Sequence, residues 1–342
     1  MITKRATFLC DQGDREGRPY HITMGKKRAT FLCSFLLLCL IAFSSCSQSS
    51  PSTTTPTPTR TTVAPAPTIT PVVSPTSTGT PSVTPQHYKV RVLLSGRRRP
   101  DDLVFDPQGR LVFSDFYAGT ISRLNADGSV MLLFSGLAGP EGMVYLPDGT
   151  LIVAEQRTNR ILQIAPGTSA PTVLRALPGT PSTLSCKDGV DGIALDPTNN
   201  TLIVPDSPIG NVYRMSLDGK TLTLLAGGIV RPVGATVDAQ GNVYVADECG
   251  GAVVRIAPDG KTTNIGGFVM PDDVVFDAQG NMLVIDLKPS IHALIRVLQG
   301  TGARQTLLSQ GLIEPQGLVI DARGNIYVSD DYADSITELI PA

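Results

Sequence analysis

The sequence has 342 residues with 28 basic and 30 acidic side chains, so its formal net charge is −2. This even balance provides no extended basic surface, and we do not expect nucleic acid as a partner. Tryptophan is absent and aromatic residues make up 5% of the chain, which argues against a carbohydrate site built from stacked rings. A small molecule, another protein or a membrane stays open as a partner.

The first 23 residues contain a copy of a segment that follows them. The heptapeptide 4–10 recurs unchanged as 27–33. We therefore interpret residues 1–23 as a duplicated or non-native extension, with Met24 as the working start, and assign them no function.

Residues 24–46 have the pattern of a secretory signal. Basic residues at 26–28 precede the apolar run 31–43, and two serines lead to Cys46. The run is shorter than the roughly 20 residues that a membrane-spanning helix needs. The segment is similar to a bacterial lipobox, which predicts a lipid on Cys46 and an extracytoplasmic, membrane-anchored lipoprotein. The alternative is an ordinary secretory signal in which Cys46 has no role.

Residues 47–87 consist mainly of serine, threonine and proline. Such a segment buries too little apolar surface to offset the entropy of ordering, and proline keeps it extended. We predict a disordered linker between the signal and residues 88–342.

A phrase of about sixteen residues occurs six times in residues 88–342. Its copies begin at Pro100, Pro140, Val190, Pro232, Pro271 and Pro315. Each copy joins two apolar runs through a polar turn, and two further strand patterns follow it. A period near 40 residues with four strands in each unit is typical of propeller blades. We predict an all-β, six-bladed β-propeller with four-stranded blades.

The sixth copy ends after its third strand. Residues 90–96 precede the first copy and match the outer strand of blade one at 132–136. We therefore predict that this N-terminal strand completes the last blade and closes the ring, which removes two exposed sheet edges. We expect a closed ring of this kind to be a monomer.

Acidic residues recur just before the inner strand, where the central channel should open. Around the ring, this position holds Asp101, Glu141, Asp191, Val233, Asp272 and Gln316, and Asp102 and Asp273 follow in two blades. Converging carboxylates repel one another unless a cation, shared protons or water separates them. The predicted ligands of a divalent cation, Ca²⁺ first and Mg²⁺ or Mn²⁺ next, are Asp101, Glu141, Asp191 and Asp272. The predicted ligand-binding residues are Asp102, Asp273 and Gln316. The alternative is that these side chains only cap turns.

Two other acidic columns occur in nearly every blade, and this regularity indicates a structural role in turns. One column ends the second strand at Asp115, Glu155, Asp206, Asp247, Asp286 and Asp330. The other lies in the first hairpin at Asp106, Asp196, Asp238, Asp277 and Asp321.

Two cysteines and two catalytic candidates complete the set of candidate functional residues. Cys186 and Cys249 are the two cysteines of residues 88–342, and export predicts a disulfide between them; the alternative is two free thiols on distant loops. His292 and Asp191 are weak catalytic candidates, although a lone loop histidine is usually solvated. We predict a solvated loop at the basic cluster 97–99.

The repeat resembles a known family. Its pattern Pro-x-Gly-x-x-x-Asp-x-x-Gly-Asn-x-Tyr-Val-x-Asp, clearest at 232–247 and 315–330, is similar to the NHL repeat. The whole ring resembles the gluconolactonase and senescence-marker-protein superfamily of six-bladed propellers. In the lactonase branch, this resemblance implies a catalytic divalent cation held from blades one, four and five, with substrate contacts from blade three. The matching positions here are Asp101, Val233, Asp272 and Asp191, and valine cannot bind a metal.

Two functions follow from these observations. The first is a lipid-anchored binding or sensing module that takes a small molecule or protein at the channel mouth. The alternative is a metal-dependent lactonase, in which the cation would polarise the ring carbonyl and an aspartate would activate water. Val233 and the lack of a positioned base favour the binding module.

Overall fold

The computed structural model describes residues 87–96, 98–287 and 292–342, which all fall within the unit Thr84–Ala342. They form six antiparallel sheets of four strands each. The described part has 3₁₀ turns at Gln156–Thr158 and Ser207–Ile209 but no α-helix, and none of its helical segments could span a bilayer. The predicted six-bladed propeller is confirmed.

The strands follow one another from the inner to the outer edge of each blade, except that β1 (Tyr88–Ser95) precedes blade one and belongs to blade six. Blade one contains β2 (Leu103–Phe105), β3 (Leu111–Asp115), β4 (Thr120–Leu124) and β5 (Val130–Ser135). Blade two contains β6 (Pro140–Tyr145), β7 (Leu151–Glu155), β8 (Arg160–Ile164) and β9 (Thr172–Ala176). Blade three contains β10 (Ala194–Asp196), β11 (Thr201–Asp206), β12 (Asn211–Ser216) and β13 (Leu222–Ala226).

The remaining blades repeat this arrangement. Blade four contains β14 (Pro232–Val237), β15 (Val243–Asp247), β16 (Ala252–Ile256) and β17 (Thr262–Gly266). Blade five contains β18 (Pro271–Phe276), β19 (Met282–Asp286), β20 (Ala293–Val297) and β21 (Arg304–Leu308). Blade six contains β22 (Pro315–Ile320), β23 (Ile326–Asp330), β24 (Ser335–Pro341) and β1.

The ring closes through β1, as the sequence predicts. This strand pairs antiparallel with β24, with Tyr88 opposite Pro341 and Ser95 opposite Ser335. The sheet order of blade six is therefore β1-β24-β23-β22. Because the first and last strands of the domain share one sheet, the two ends of the domain hold each other in place.

The hydrophobic core lies between neighbouring blades. Ile152 and Ile161 of blade two pack in one cluster with Leu202 and Met215 of blade three. These side chains are almost completely removed from solvent, and each contributes on the order of 2 kcal/mol through burial. This packing fixes the inner strands around the central axis, where the candidate site lies.

The acidic column at the end of the second strand is structural, as predicted. Asp247 accepts hydrogen bonds from the backbone N–H groups of Arg231 and Gly250 at 2.9 and 3.0 Å. Asp330 accepts bonds from the N–H groups of Ile313 and Glu314 at 2.7 and 3.0 Å. These carboxylates thus tie the loop that enters each blade to the loop after its second strand.

Candidate functional site

The inner strands surround a cavity of about 220 Å³ on the axis of the ring. The inner strands begin at one end of this cavity, which we call the channel mouth. Six of the predicted site residues line the cavity: Asp101, Asp102, Asp191, Asp272, Asp273 and Gln316. Glu141 and Val233 are buried but are not part of its wall. The structure therefore brings together three of the four predicted metal ligands around one space.

Small residues allow the inner strands to approach closely beside this cavity. The position after the mouth residue is glycine in four blades, at Gly142, Gly192, Gly234 and Gly317. A Cβ atom on Gly142 would lie 2.7 Å from the Cα of Gly192, and one on Gly192 would lie 2.7 Å from the Cα of Gly234. A side chain larger than that of glycine does not fit at these positions between the blades.

Asp102 and Asp273 occupy the same position in blades one and five, and each bridges to the next blade. The Asp102 carboxylate accepts hydrogen bonds from the N–H groups of Leu103 at 2.6 Å and Met143 at 3.2 Å. Asp273 accepts bonds from the N–H groups of Val274 at 2.7 Å and Leu318 at 2.9 Å. Both carboxyl groups thus join neighbouring inner strands, and their contact with a ligand stays a prediction.

Burial changes the acidity of both groups. Burial raises the pKa of Asp102 to about 7, and the charges of Asp191 and Glu141 act in the same direction, although two backbone N–H groups oppose them. Burial also raises the pKa of Asp273 well above its ordinary value, assisted by the charge of Asp102. The cavity therefore contains a carboxyl group, Asp102, that can gain or lose a proton near neutral pH.

These raised pKa values predict a pH-dependent stability. Asp102 binds its proton more tightly in the folded protein than in the unfolded chain, where its pKa is near 3.8. The stabilisation is complete below that value and is lost as the pH rises towards about 7. We expect the free energy of unfolding, measured with denaturant, to fall by a few kcal/mol between pH 5 and pH 8, since one pKa unit corresponds to about 1.4 kcal/mol.

Substitutions identify the source of this pH dependence. Asp102→Asn should flatten the profile, and adding Asp273→Asn should flatten it further. Asp127→Asn is the control, because this carboxylate lies on an exposed hairpin and its pKa is lowered; its profile between pH 5 and pH 8 should match that of the wild type. Equal slopes in all four proteins would contradict the assignment.

A buried arginine lies at the channel mouth and was not predicted from the sequence. Arg231 is 3% exposed and donates a hydrogen bond to the Asp191 carboxylate at 3.2 Å. It also forms ion pairs with Glu248 and, at 3.5 Å, with Asp188. Gln156 donates a second bond to Asp191 at 3.1 Å. Asp191, a predicted metal ligand and catalytic candidate, is therefore held by a cation of the protein itself.

A disulfide fastens the two loops that supply these carboxylates. Cys186 and Cys249, the pair expected from the sequence, are bonded with their Cα atoms 6.2 Å apart. Cys186 precedes Asp188 and Asp191 in one loop, and Cys249 follows Glu248 in the other. The bond thus holds both acidic loops close to Arg231.

The basic cluster is not the fully solvated loop that the sequence predicts. Arg98 is exposed, but the guanidinium carbon of Arg99 lies 3.7 Å from the ring centre of Tyr117 and 4.4 Å from that of Tyr332. Arg99 also forms an ion pair with Asp331 at 3.8 Å. The sequence prediction was wrong for Arg99 because the two tyrosines belong to different blades, and only ring closure brings them together. Arg97 lies outside the described residues.

His292 is not part of the cavity wall. Its Nδ1 atom is buried and has no hydrogen-bond partner among the described residues. The preceding residues 288–291 lie outside the described part of the chain. No contact of the described structure gives His292 a role at the channel mouth, so its catalytic role stays a prediction.

The mouth residues do not fit a lactonase-type cation. Within residues 87–96, 98–287 and 292–342, no three His, Cys, Asp or Glu side chains converge closely enough to hold a metal ion. The blade-four position is Val233, and Arg231 already binds Asp191. We therefore derive no step through a metal. Binding of Ca²⁺, Mg²⁺ or Mn²⁺ by Asp101, Glu141, Asp191 and Asp272 stays a prediction.

Unlike Arg231, several other buried polar residues that sequence reasoning missed occupy one position of the repeat. The residue after the structural acidic column is different in every blade: Phe116, Gln156, Ser207, Glu248, Leu287 and Asp331. Gln156, Glu248 and Asp331 are buried despite their polarity. The fold requires the residues that all copies of a repeat share. A position that differs among the copies is not required by the fold, and this variation could have identified Gln156, Glu248 and Asp331 from the sequence.

The fold and cavity define a six-bladed propeller with an acidic central channel. The family model of the SMP-30/gluconolactonase/LRE-like region matches residues 183–271, from the loop before blade three to the first residue of blade five. The predicted resemblance to gluconolactonase-like propellers is confirmed. A search of the curated proteins gave no match.

Solved structures share the architecture at low sequence identity. A gluconolactonase from Xanthomonas campestris has a TM-score of 0.61 and 15% identity, over 75% of this chain and 90% of that one. A catalytically inactive virginiamycin B lyase from Staphylococcus aureus, solved with quinupristin, has a TM-score of 0.57 and 17% identity over 75% and 100%. A chain of the nidogen/laminin complex has a TM-score of 0.57 and 20% identity over 67% and 88%. Identities this low show a common fold only.

Proposed function

We propose that this propeller is a binding module that takes a small positively charged group at its acidic channel mouth. The observation that carries the proposal is the composition of the cavity wall, which Asp101, Asp191 and Asp272 line together with Asp102 and Asp273. Arg231 pairs with one of these carboxylates, Asp191, at 3.2 Å. An organic cation is electrostatically complementary to a wall lined by this many acidic residues.

The size and lining of the cavity restrict the ligand. Its volume of about 220 Å³ is below the roughly 300–1,000 Å³ of sites for drug-sized molecules. Below the acidic mouth, the wall includes aliphatic side chains from four blades: Val104, Val144, Val275 and Val319. A primary ammonium group on a short aliphatic stem would match both parts of the channel. With a lipid on Cys46, the protein would meet this ligand outside the cytoplasm.

Three molecules with four carbon atoms each test the proposal. We expect butylammonium to raise the melting temperature of the full chain in a saturable manner, because a ligand of the folded state stabilises it by mass action. Butan-1-ol lacks the charge and butyrate reverses it, so neither should have this effect. Calcium chloride and a chelator, tested in parallel, distinguish an organic cation from a divalent metal.

A double substitution locates the binding site. Asp101→Asn with Asp272→Asn should abolish the butylammonium response, whereas Asp127→Asn with Asp259→Asn, two exposed hairpin carboxylates, should leave it unchanged. Stabilisation by calcium alone, or equal responses to butylammonium and butan-1-ol, would refute the proposal.

A second candidate is hydrolysis of a lactone. The family match over residues 183–271 and the pKa of about 7 at Asp102 favour it, because a general base works best when its pKa lies near the operating pH. A pH-stat assay of δ-gluconolactone tests this candidate with and without chelator. Turnover that Asp102→Asn removes would support the lactonase, and rates equal to the uncatalysed rate would exclude this substrate.

A further inference from the structure

A second cavity lies between blades four and five, at the end of the blades away from the channel mouth. The turns after β14 and β18 form its rim, and residues of β15, β17 and β20 contribute to its walls. Its volume is about 660 Å³, which falls within the roughly 300–1,000 Å³ typical of small-molecule sites. None of the channel-mouth residues takes part in it.

The inner wall of this cavity is apolar and aromatic. The rings of Tyr244 and Phe276 meet edge to face, with centroids 4.7 Å apart and planes at 70°. Ile265, Met282 and Val297 extend the wall, and all five side chains belong to the core cluster between blades four and five. Except for Met282, they are only partly buried, so a ligand can reach apolar surface that is continuous with the core.

The two carboxylates of the cavity already have hydrogen-bond or ion-pair partners within the protein. Asp238 accepts hydrogen bonds from the N–H groups of Gln240 and Asn242, both at 2.9 Å, and from the Tyr244 hydroxyl at 3.2 Å. Asp277 accepts equivalent turn bonds and forms an ion pair with Arg296 at 3.3 Å. No Lys, Arg or His belongs to the described wall. The described wall therefore presents no basic side chain to an anion, and its two carboxylates are already bonded to protein groups.

Amide groups surround the entrance. Gln240, Gln279 and Gln299 are exposed at the rim, and each side chain provides both donors and acceptors. Gly280 beside Gln299 takes a φ of 76°, a backbone conformation that favours glycine. The entrance thus favours a ligand whose polar groups are hydroxyls or amides.

The aromatic pair alone does not create this site, as a second copy of the pair shows. Tyr327 and Phe105 meet at 5.3 Å between blades six and one, at the same strand positions. There the Tyr327 hydroxyl donates to Glu338 at 2.9 Å, and Glu338 is bound to Arg91 of β1 at 2.8 Å. Tyr327 is buried there, whereas Tyr244, which bonds to the Asp238 carboxylate at 3.2 Å and to Arg255, stays partly exposed in the cavity.

We propose that the cavity between blades four and five binds an uncharged aromatic small molecule that carries hydroxyl or amide groups. Its ring system packs against Tyr244 and Phe276, where edge-to-face contacts between rings are favourable. Its polar groups bond to the glutamine amides of the rim. This site shares no lining residue with the channel.

Two fluorescent probes with the same ring frame test the predicted ligand class. N-phenyl-1-naphthylamine is uncharged, and 8-anilinonaphthalene-1-sulfonate adds a sulfonate to that frame. We expect the uncharged probe to bind the full chain saturably with one site per protein. The sulfonate should bind roughly tenfold or more weakly, because burying an anion without a basic partner is costly.

Matched tryptophan substitutions locate the probe. Ala278→Trp fills the rim of the cavity and should weaken binding of the uncharged probe roughly tenfold. Ala322→Trp places the same side chain at the equivalent turn position of blade six, which does not line the cavity, and should leave binding unchanged. Ile265→Glu adds a charge to the wall and should also weaken binding. Circular dichroism confirms that each variant is folded.

Three results would overturn the proposal. The first is non-saturable binding of the uncharged probe, and the second is equal binding of the two probes. The third is an equal effect of Ala278→Trp and Ala322→Trp, which would mean that the probe binds elsewhere on the protein.

Discussion

A chain that lacks β1, residues 88–95, should fail to fold into a stable monomer. Without this strand, β24 becomes an open sheet edge with a row of backbone groups that lack a ladder partner, and such edges pair with other chains. The deletion also removes Leu94, which packs in the core beside Ile336, and the ion pair between Arg91 and Glu338. We expect loss of cooperative thermal unfolding by circular dichroism and formation of larger species in size-exclusion chromatography.

The control removes the same number of residues from the predicted linker, at 70–77. Those residues lie outside the described part of the chain and in no predicted strand, so this deletion should leave the melting transition unchanged. A monomeric β1 deletion that melts within 2–4 °C of the wild type, a shift of about 1 kcal/mol for a domain of this size, would show that the ring does not depend on β1.

Features shared by all blades could be predicted from the sequence. The first hairpin has the same turn in copies such as Asp238–Gly241 and Asp321–Gly324, where the carboxylate accepts turn N–H groups and glycine takes a positive φ. Such local interactions need only neighbouring residues. Closure of the ring was also predictable, because β1 fills a strand that the sixth copy lacks.

Features that depend on several blades could not be predicted. Arg231, Glu248 and Asp191 come from separate segments, and only the propeller geometry places them in one cluster. The raised pKa of Asp102 likewise results from burial between two blades, which a sequence does not specify. The cavity between blades four and five depends on which side chains are small or partly exposed at one particular boundary.

Loss of the buried cation in the cluster of Arg231, Glu248 and Asp191 should have a large effect on stability. Arg231→Met should lower the free energy of unfolding by about 3–5 kcal/mol, because it leaves carboxylates at the mouth without their cation. Most of this loss of stability should come from Glu248, because this residue is 4% exposed and an uncompensated buried charge is costly. Denaturant unfolding at pH 7 measures the change.

Removing both charges separates the ion pair from simple loss of packing. Arg231→Met with Glu248→Gln should recover most of the lost stability, because the remaining buried group is neutral. Arg323→Met is the control, since Arg323 pairs with Asp321 at 2.9 Å but has a largely exposed side chain, and exposed pairs contribute about 0–1 kcal/mol. If the double variant were no more stable than Arg231→Met alone, packing rather than charge would explain the role of Arg231.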